Sequence, residues 1–413
     1  MLYGAAMPAP EPLVAPFEAV YRHALADPFP IYALYRERDP VHAAPPPDPR
    51  LVEHRVLFRH ADVRLVLRDA RFGRDSRAVV APSASPLPES LREIVELFQG
   101  FMLFVDPPQH TALRGEVSAA FRPAKAARLR SFIVARAHAL LDQVRGEELE
   151  LIRDFARPLT EAAIAELMGV PEALRAALKS GVRGIAPLFG GDARALATAS
   201  GPALELRALF ARLLAGDAEP GGLLAEVGAQ LGGDEAGIRR ATATASFIYG
   251  AGFATTVHGI ANAVLALLRA PPLWDELAAR ASDLAQPVEE LLRFDPPIHR
   301  SQRFALEDLE IGGVCVRRGA LITPVLASAN RDPAVFADPD RLDFARDARE
   351  QLAFGGGIHT CLGAWMARFE LELGLRALLE RLHAPALTDA PLEWREAAVR
   401  GLVRLPLRVL SLG

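Results

Sequence analysis

The feature that most constrains this chain is a glycine-rich run that delivers one cysteine to the start of a helical pattern. Residues 354–363 read Phe-Gly-Gly-Gly-Ile-His-Thr-Cys-Leu-Gly, and Cys361 is one of only two cysteines in 413 residues. Glycines allow close backbone approach and positive φ angles. Apolar residues recur at helical spacing over residues 362–382, so we expect Cys361 at a helix N-terminus. There the helix dipole lowers the pKa of a thiol and favours the thiolate.

A thiolate held in this way has more than one use. It can be the axial ligand of haem iron, where it pushes electron density toward bound oxygen. A cysteine nucleophile would instead need a histidine base, and His359 is only two residues away, where side chains diverge. The third alternative is a buried and inert cysteine, which is the usual state of a lone cysteine. The long glycine pattern favours the haem ligand.

The run resembles the haem-binding loop of the cytochrome P450 family, the haem-thiolate monooxygenases. Phe354, the three glycines, Cys361 and Gly363 all occupy the family's positions. The resemblance spans most of the chain and implies haem b (iron protoporphyrin IX) as the cofactor, with Cys361 as the iron ligand. It also implies one domain over residues 1–413, mainly α with a minor β region. In that fold, a triangular prism, the haem lies between a long central helix and the cysteine-loop helix.

The periodicity of the sequence by itself indicates a helix-rich chain with a small amount of sheet. The predicted helices include residues 61–68, 124–144, 151–168, 202–214 and, as the longest, 235–268. Strand-like runs occur at residues 56–58, 309–316 and 321–327.

A second segment, residues 106–114, has a good helix start, with Asp106 as N-cap and proline in the first turn. His110 and Arg114 are four residues apart and therefore share one helix face. Spacing alone favours a solvated basic face. The resemblance implies that both residues bind the haem propionates, together with Arg303 and His359.

Glu290 and Arg293 have opposite charges three residues apart, a weak pattern that residues 89–92 and 172–175 match equally well. Of the three matches, we choose the one at Glu290, because the sequence after it resembles the family segment that completes a buried Glu-Arg-Arg network. We interpret Glu290, Arg293 and Arg341 as this structural network, and we expect its loss to abolish haem incorporation.

The longest predicted helix contains Gly250 and Gly252, which cost about 0.8–1 kcal/mol each in a helix interior and call for a reason. Small residues permit a kink and the close approach of a flat cofactor. Thr255 would then turn its hydroxyl toward a ligand; the alternative is a hydrogen bond to its own backbone. The resemblance implies a catalytic threonine at Thr255. The acid that usually precedes it is absent, because Ala254 occupies that position.

Composition excludes several classes. A net charge of −4 and a pI near 6.2 argue against a nucleic-acid binder. No leader and no uninterrupted apolar stretch of about 18 residues occurs, so we expect neither secretion nor a membrane span. The chain resembles the soluble bacterial members of the family, and we expect a cytoplasmic monomer.

Alignment with the family places mostly apolar residues around the substrate. They are Phe247, Ala251, Ile298, His299, the loop between about residues 76 and 101, and residues 401–402. A hydrophobic substrate follows, and His299 is either a substrate contact or a satisfied loop histidine. No Gly-x-Gly-x-x-Gly segment for a flavin or nicotinamide is present. Electrons should therefore come from a ferredoxin and ferredoxin reductase, docking near Arg122 and Arg368.

The resemblance implies hydroxylation or epoxidation of a hydrophobic small molecule, a reaction found in secondary metabolism. Two alternatives remain open. Peroxide-driven oxidation would be expected to place an arginine or another acid-base aid where Thr255 lies. A haem-binding partner protein without turnover would be expected to have lost parts of the intact cysteine loop.

Overall fold

The computed structural model describes residues 17–80, 89–118, 121, 126–189, 196–231, 234–395 and 399–412. The α-helices are α1 Phe17–Arg22, α2 Phe29–Arg38, α3 His60–Arg68, α4 Glu89–Gln99, α5 Gln109–Ser118, α6 Ala126–Leu141, α7 Arg157–Met168, α8 Glu172–Phe189, α9 Leu196–Arg212, α10 Leu223–Leu231, α11 Glu235–Leu268, α12 Pro271–Ala278, α13 Ala285–Phe294, α14 Leu326–Ala329 and α15 Ala364–Arg381. Helices therefore dominate, as the periodicity predicts.

The strands are short. They are β1 Val41–Ala44, β2 His54–Leu57, β3 Phe72–Gly73, β4 Glu148–Glu150, β5 Arg303–Ala305, β6 Leu309–Ile311, β7 Val314–Val316, β8 Leu321–Pro324, β9 Leu382–His383, β10 Ala386–Leu387, β11 Pro406–Arg408 and β12 Ser411–Leu412. The largest sheet has the order β1-β2-β8-β5-β3, in which only the β2–β8 pair is parallel. A three-stranded sheet, β10-β11-β4, and two strand pairs complete the β structure of the described residues.

Helix α11 crosses the main hydrophobic core. Asp234 caps its N-terminus by accepting a hydrogen bond from the Gly237 amide at 2.6 Å. Its bounds, Glu235–Leu268, confirm the prediction from the sequence. By length and composition this helix could cross a membrane, but 67% of its most apolar window is buried inside the protein. Other helices surround α11, and this explains why the helix is apolar on nearly all sides.

The structure changes several predicted elements, and the strand predicted over residues 321–327 ends at Pro324, with α14 beginning at Leu326. Helix α9 begins at Leu196, before the predicted start at residue 202, and continues through Pro202. Pro202 packs directly against Gly184 of α8, so the contact between these two helices stabilises a proline that would otherwise end a helix. The predicted strand at residues 309–316 is a hairpin, because Gly312 and Gly313 have positive φ angles and form its turn.

The elements that position the site come from distant parts of the chain. Helix α15, which follows the cysteine loop, packs against α6, α11 and α13. The cysteine loop itself lies on the end of α3, and β5 of the large sheet pairs with the short β3. These contacts bring the loop, the central helix and one sheet edge together.

Candidate haem-thiolate site

The backbone of the cysteine loop folds back on itself. The Cys361 amide donates to the Phe354 carbonyl at 2.9 Å, and Gly355 and Gly357 have φ angles of 71° and 67°. A Cβ atom at Gly357 would overlap the carbonyl oxygen of Leu67 at the end of α3. A residue with a side chain therefore cannot take this position without moving α3. The glycines of the motif hold Cys361 at a fixed place.

The chemistry of Cys361 differs from the prediction. Helix α15 begins only at Ala364, and the Gly363 amide donates a hydrogen bond to the sulfur. The Cys361 side chain is exposed on one side, but the protein around it desolvates the thiol and raises its pKa above the usual value. This effect outweighs the opposite influence of the Gly363 amide and of the guanidinium groups of Arg114 and Arg368. The prediction that a position at the helix N-terminus is enough to lower the pKa of the Cys361 thiol is wrong. A coordinated metal ion would ionise the thiol outright, because its charge dominates such a site.

Three of the predicted binding residues meet beside this loop. Arg114 donates from Nη1 to the carbonyl oxygen of Thr360, next to Cys361, at 2.7 Å. His110, one turn earlier on α5, is buried, and its ring lies 4.3 Å from the ring of His359 between centroids. The shared helix face predicted for His110 and Arg114 is therefore directed at the cysteine loop.

Arg303 is joined by an arginine that the sequence did not single out. Gly73 pairs with Phe304, so Arg74, the next residue, lies beside Arg303. Both guanidinium groups donate to the hydroxyl of Ser301, at 3.3 and 3.2 Å. Burial lowers the pKa of Arg74 to about 9 and that of Arg303 to about 10, and the charge of Arg303 also lowers the pKa of Arg74.

Asp106 is the carboxylate close to these cations. It accepts hydrogen bonds from the amides of Arg74 and Asp75 at 2.8 and 3.0 Å, and lies 3.8 Å from His359 Nε2. Burial alone would raise the pKa of Asp106, but His359 and the two amides hold it at about 2. Desolvation lowers the pKa of His359 to about 4, so its ring is neutral near pH 7.

We call His110, His359, Arg74, Arg303 and Arg114 the cradle. Among the described residues, its arginines outnumber the nearby carboxylates, and Nε2 of His110 and of His359 are buried without a hydrogen-bond partner. Buried polar atoms almost always have partners. The cradle therefore fits a ligand that brings two carboxylates, as haem does with its propionates, next to a cysteine sulfur.

The central helix carries the predicted oxygen site. Residues 250–255 of α11 are half-buried, whereas the residues on either side are mostly buried. The Thr255 hydroxyl donates to the Ala251 carbonyl at 2.8 Å, which is the backbone alternative considered for it. Gly252 faces Ile164 of α7, so this glycine serves helix packing, and α11 is continuous without the kink that was considered.

The predicted Glu-Arg-Arg network is present with a different third member. Arg293 forms a two-pronged pair with Glu290, through Nε at 2.7 Å and Nη2 at 2.8 Å, and both side chains are fully buried. Arg346 Nε donates to Glu290 Oε1 at 3.1 Å. Arg341, the predicted partner, is 69% exposed and pairs with Asp343. The choice of Arg341 is wrong, because its side chain lies on the outer side of the loop.

Other predictions fall in different places. His299 is buried and bonded to Tyr32 and Asp295, so it is the satisfied loop histidine of the two interpretations. Phe247 packs against Phe101 at 5.4 Å between ring centroids. Part of the predicted pocket loop forms α4, and residues 81–88 and Arg122 lie outside the described residues.

Arg368 and Phe354 contact each other beside the cysteine loop. The Arg368 guanidinium lies 4.3 Å from the Phe354 ring centroid and pairs with Glu289, and its side chain is 39% exposed. The predicted partner-binding arginine is thus already held by a neighbouring carboxylate.

Comparisons with known proteins agree with this geometry. A cytochrome P450 family profile matches residues 284–406. The monooxygenase PikC of Streptomyces venezuelae is 35% identical over 399 residues, covering 93% of this chain and 91% of PikC. The mycinamicin IV hydroxylase/epoxidase of Micromonospora griseorubida is 33% identical over 416 residues, covering 97% of this chain and 100% of the relative.

Solved structures show the same relationship. The crystal structure of P450BioI in complex with a hexadec-9Z-enoic acid-ligated acyl carrier protein superposes with a TM-score of 0.84 at 29% identity, covering 94% of this chain and 99% of that one. The chain belongs to the cytochrome P450 family. It has the cytochrome P450 fold and is a haem-dependent cytochrome P450 monooxygenase.

Proposed function

We propose that this monooxygenase hydroxylates or epoxidises a hydrophobic small molecule with O2 and with electrons from a ferredoxin and its reductase. We further propose that residues 1–413 form one domain, acting as a cytoplasmic monomer, and that the cofactor is haem b. The observation that carries the proposal is the meeting of Cys361 with a cradle whose arginines outnumber the nearby carboxylates among the described residues.

The cradle and the loop have separate tasks. Bound haem supplies the iron that activates O2, and a thiolate ligand favours O–O cleavage. Cys361 would hold the iron, with the Gly363 amide donating to the sulfur. Arg74, Arg303 and the two histidines of the cradle would pair with the propionates, which would relieve the repulsion between the two guanidinium groups.

Proton supply near the oxygen site is unusual in this chain. Ala254 has no proton to donate, and the Thr255 hydroxyl proton is engaged by the Ala251 carbonyl. Thr255 Oγ1 can still accept a hydrogen bond from water or substrate, because a hydroxyl has two acceptor lone pairs. We infer that protons reach this position through water or a substrate hydroxyl, with weaker coupling of electrons to product than in acid-bearing relatives.

The side chains aligned with the substrate site are apolar. Phe101 and Phe247 form an aromatic contact between α11 and the segment after α4, and Leu402 is fully buried beside the central helix. A hydrophobic substrate fits these surfaces. The acyl carrier protein bound to P450BioI makes a carrier-tethered substrate one of the two forms to be tested, the other being a free small molecule.

The electron donor would bind on the side of the cysteine loop. Ile358 of that loop is 51% exposed, and Arg368, which contacts Phe354 of the same loop, is partly exposed. A partly exposed guanidinium on this side of the loop would attract an acidic partner. We propose this surface for an acidic ferredoxin.

Spectroscopy combined with turnover tests the proposal. The Soret band of the purified protein would be titrated with terpenes, steroids, fatty acids and macrolides, and each ligand that gives a high-spin shift would be incubated with a surrogate ferredoxin, its reductase and NADPH. We expect an oxygenated product that depends on the ferredoxin. Product with hydrogen peroxide alone would favour the peroxide-driven alternative, and haem without product in either assay would favour the partner protein.

A further inference from the structure

Two backbone segments contain residues that the alignment with the family places around the substrate, Ile298 in one and residues 401–402 in the other. The first, residues 297–300, continues through Ser301 to Arg303 of the cradle. The second, residues 399–402, reaches α11, because the backbone of Gly401 lies against the ring of His258, one turn beyond Thr255. We call them the wall segments.

The wall segments pair directly. Ile298 and Val399 form an antiparallel bridge, and the Arg400 amide donates to the Pro297 carbonyl at 2.7 Å. This pairing is short, so backbone hydrogen bonds alone fix the spacing of the two segments weakly. Side chains must hold the remaining geometry.

A buried ion pair joins the two segments behind the wall. Arg400 Nε donates to Asp295 Oδ1 at 2.9 Å, and the two side chains are 5% and 12% exposed. The same guanidinium donates to the carbonyls of Leu25 and Ala26, at 2.5 and 3.2 Å, and stacks 3.7 Å from the Trp394 ring centroid. Every face of the Arg400 side chain is therefore engaged.

His299 extends the same pair toward the N-terminal helices. Its Nε2 lies 3.1 Å from Asp295 Oδ1, and its Nδ1 lies 2.9 Å from the Tyr32 hydroxyl. Because Nε2 faces a carboxylate, we assign the proton of the neutral ring to Nε2, and Tyr32 then donates to Nδ1. Asp295 is also anchored to the central helix, since its carbonyl accepts from Asn262 at 3.4 Å.

A buried ion pair is a poor source of net stability, because desolvation of both charges offsets their attraction. It does fix geometry, since both groups need their partners in one place. The cradle does not contact this pair through any described hydrogen bond, so haem binding does not explain it. Its location provides a reason, because it ties Arg400 of the second segment to Asp295, two residues before the first, and the alignment places both segments at the substrate.

We propose that Arg400 and Asp295 are positioning residues that set the spacing of the wall segments and thereby the shape of the substrate site. This inference rests on the proposed function. If the proposal holds, substrate selectivity depends on the Arg400–Asp295 pair as well as on the side chains that contact the substrate. Small displacements of positioning groups change reactivity strongly.

The test uses holoprotein with two iron-binding probes of different size, imidazole and 4-phenylimidazole. Both give the same type of Soret shift, but only the larger probe carries a second ring, which makes its affinity sensitive to the shape of the substrate site. In Arg400→Met and Asp295→Asn we expect the ratio of the two Kd values to change about tenfold, a difference of about 1.4 kcal/mol, with the Kd of imidazole nearly constant. Arg300→Met is the matched control, because Arg300 lies on the first wall segment but pairs with Glu18 of α1 and not with Asp295.

An unchanged ratio in both variants, with a lower midpoint of urea unfolding, would overturn the proposal and leave the pair a purely structural one. If Arg400→Met does not retain haem, Arg400→Lys carries the test. It keeps the charge and loses the forked geometry, so the ratio should change partway while haem stays bound. Absence of haem from the wild-type protein would be a failure of the proposed function, and the haem content of the wild type distinguishes the two.

Discussion

Replacement of Arg346 by alanine should destabilise the protein far more than the same change at Arg341. Arg346 is 9% exposed and donates to the buried Glu290 carboxylate, a bond to a charged group worth about 1.5–3 kcal/mol. It also donates to three backbone carbonyls, each worth about 0.5–1.5 kcal/mol, part of which water would restore. Because Glu290 keeps its pair with Arg293, we expect the free energy of unfolding of Arg346→Ala to fall by about 3 kcal/mol.

Arg341→Ala is the control. Arg341 is exposed and pairs only with Asp343 at the surface, so its loss should cost under about 1 kcal/mol. Urea unfolding followed by circular dichroism gives both values, with an unchanged m-value as the check that the unfolded state is the same. Haem content after purification gives the consequence for the site. A larger loss in Arg341→Ala, or equal losses in the two variants, would refute the assignment of Arg346 to the network.

Three further predictions concern the site and its surroundings. Arg74→Ala should weaken haemin binding by the purified apoprotein at least about tenfold, because a charge-assisted pair is lost. Arg77→Ala removes an exposed arginine and should leave the affinity for haemin unchanged. Equal affinities of the two variants would contradict the role of Arg74 in the cradle. Ala254→Asp should raise the fraction of electrons that end in product and reduce peroxide release, and no change in either would contradict the inferred proton deficit. His299 has a pKa of about 4 in the folded protein against about 6.5 when unfolded, so the unfolded chain binds the extra proton in this window. The His299 contribution to the free energy of unfolding should therefore fall by up to about 3 kcal/mol between pH 6.5 and pH 4. Urea titration across this range measures it as the difference in pH dependence between the wild type and His299→Gln, whose slope should be smaller.

Local sequence patterns predicted the elements that are themselves local. The length of α11 follows from unbroken helical periodicity with an aspartate cap, and the cysteine loop follows from glycines whose positive φ angles no other residue adopts easily. His110 and Arg114 share a helix face, so their common direction was also readable. These features need no knowledge of distant parts of the chain.

The missed features depend on contacts between distant segments. Arg74 joins the cradle because a two-residue strand pairs with β5, more than 200 positions later in the sequence. Such a short strand has no periodicity to detect. Arg346 and Arg341 lie in one irregular loop, where no repeat indicates which side chain turns inward. The raised pKa of Cys361 depends on desolvation of the thiol by surrounding segments, which a local motif does not reveal.

The most direct test of the central claim is the carbon monoxide difference spectrum of the reduced, purified protein and of its Cys361→His variant. Thiolate-bound haem gives a strongly red-shifted Soret band, whereas haem with a nitrogen ligand does not. We predict this band for the wild type, and retained haem without it for Cys361→His, since the cradle would remain intact. A wild-type protein that binds haem without the red-shifted band, or a variant that keeps the band, would contradict the assignment of Cys361 as the iron ligand.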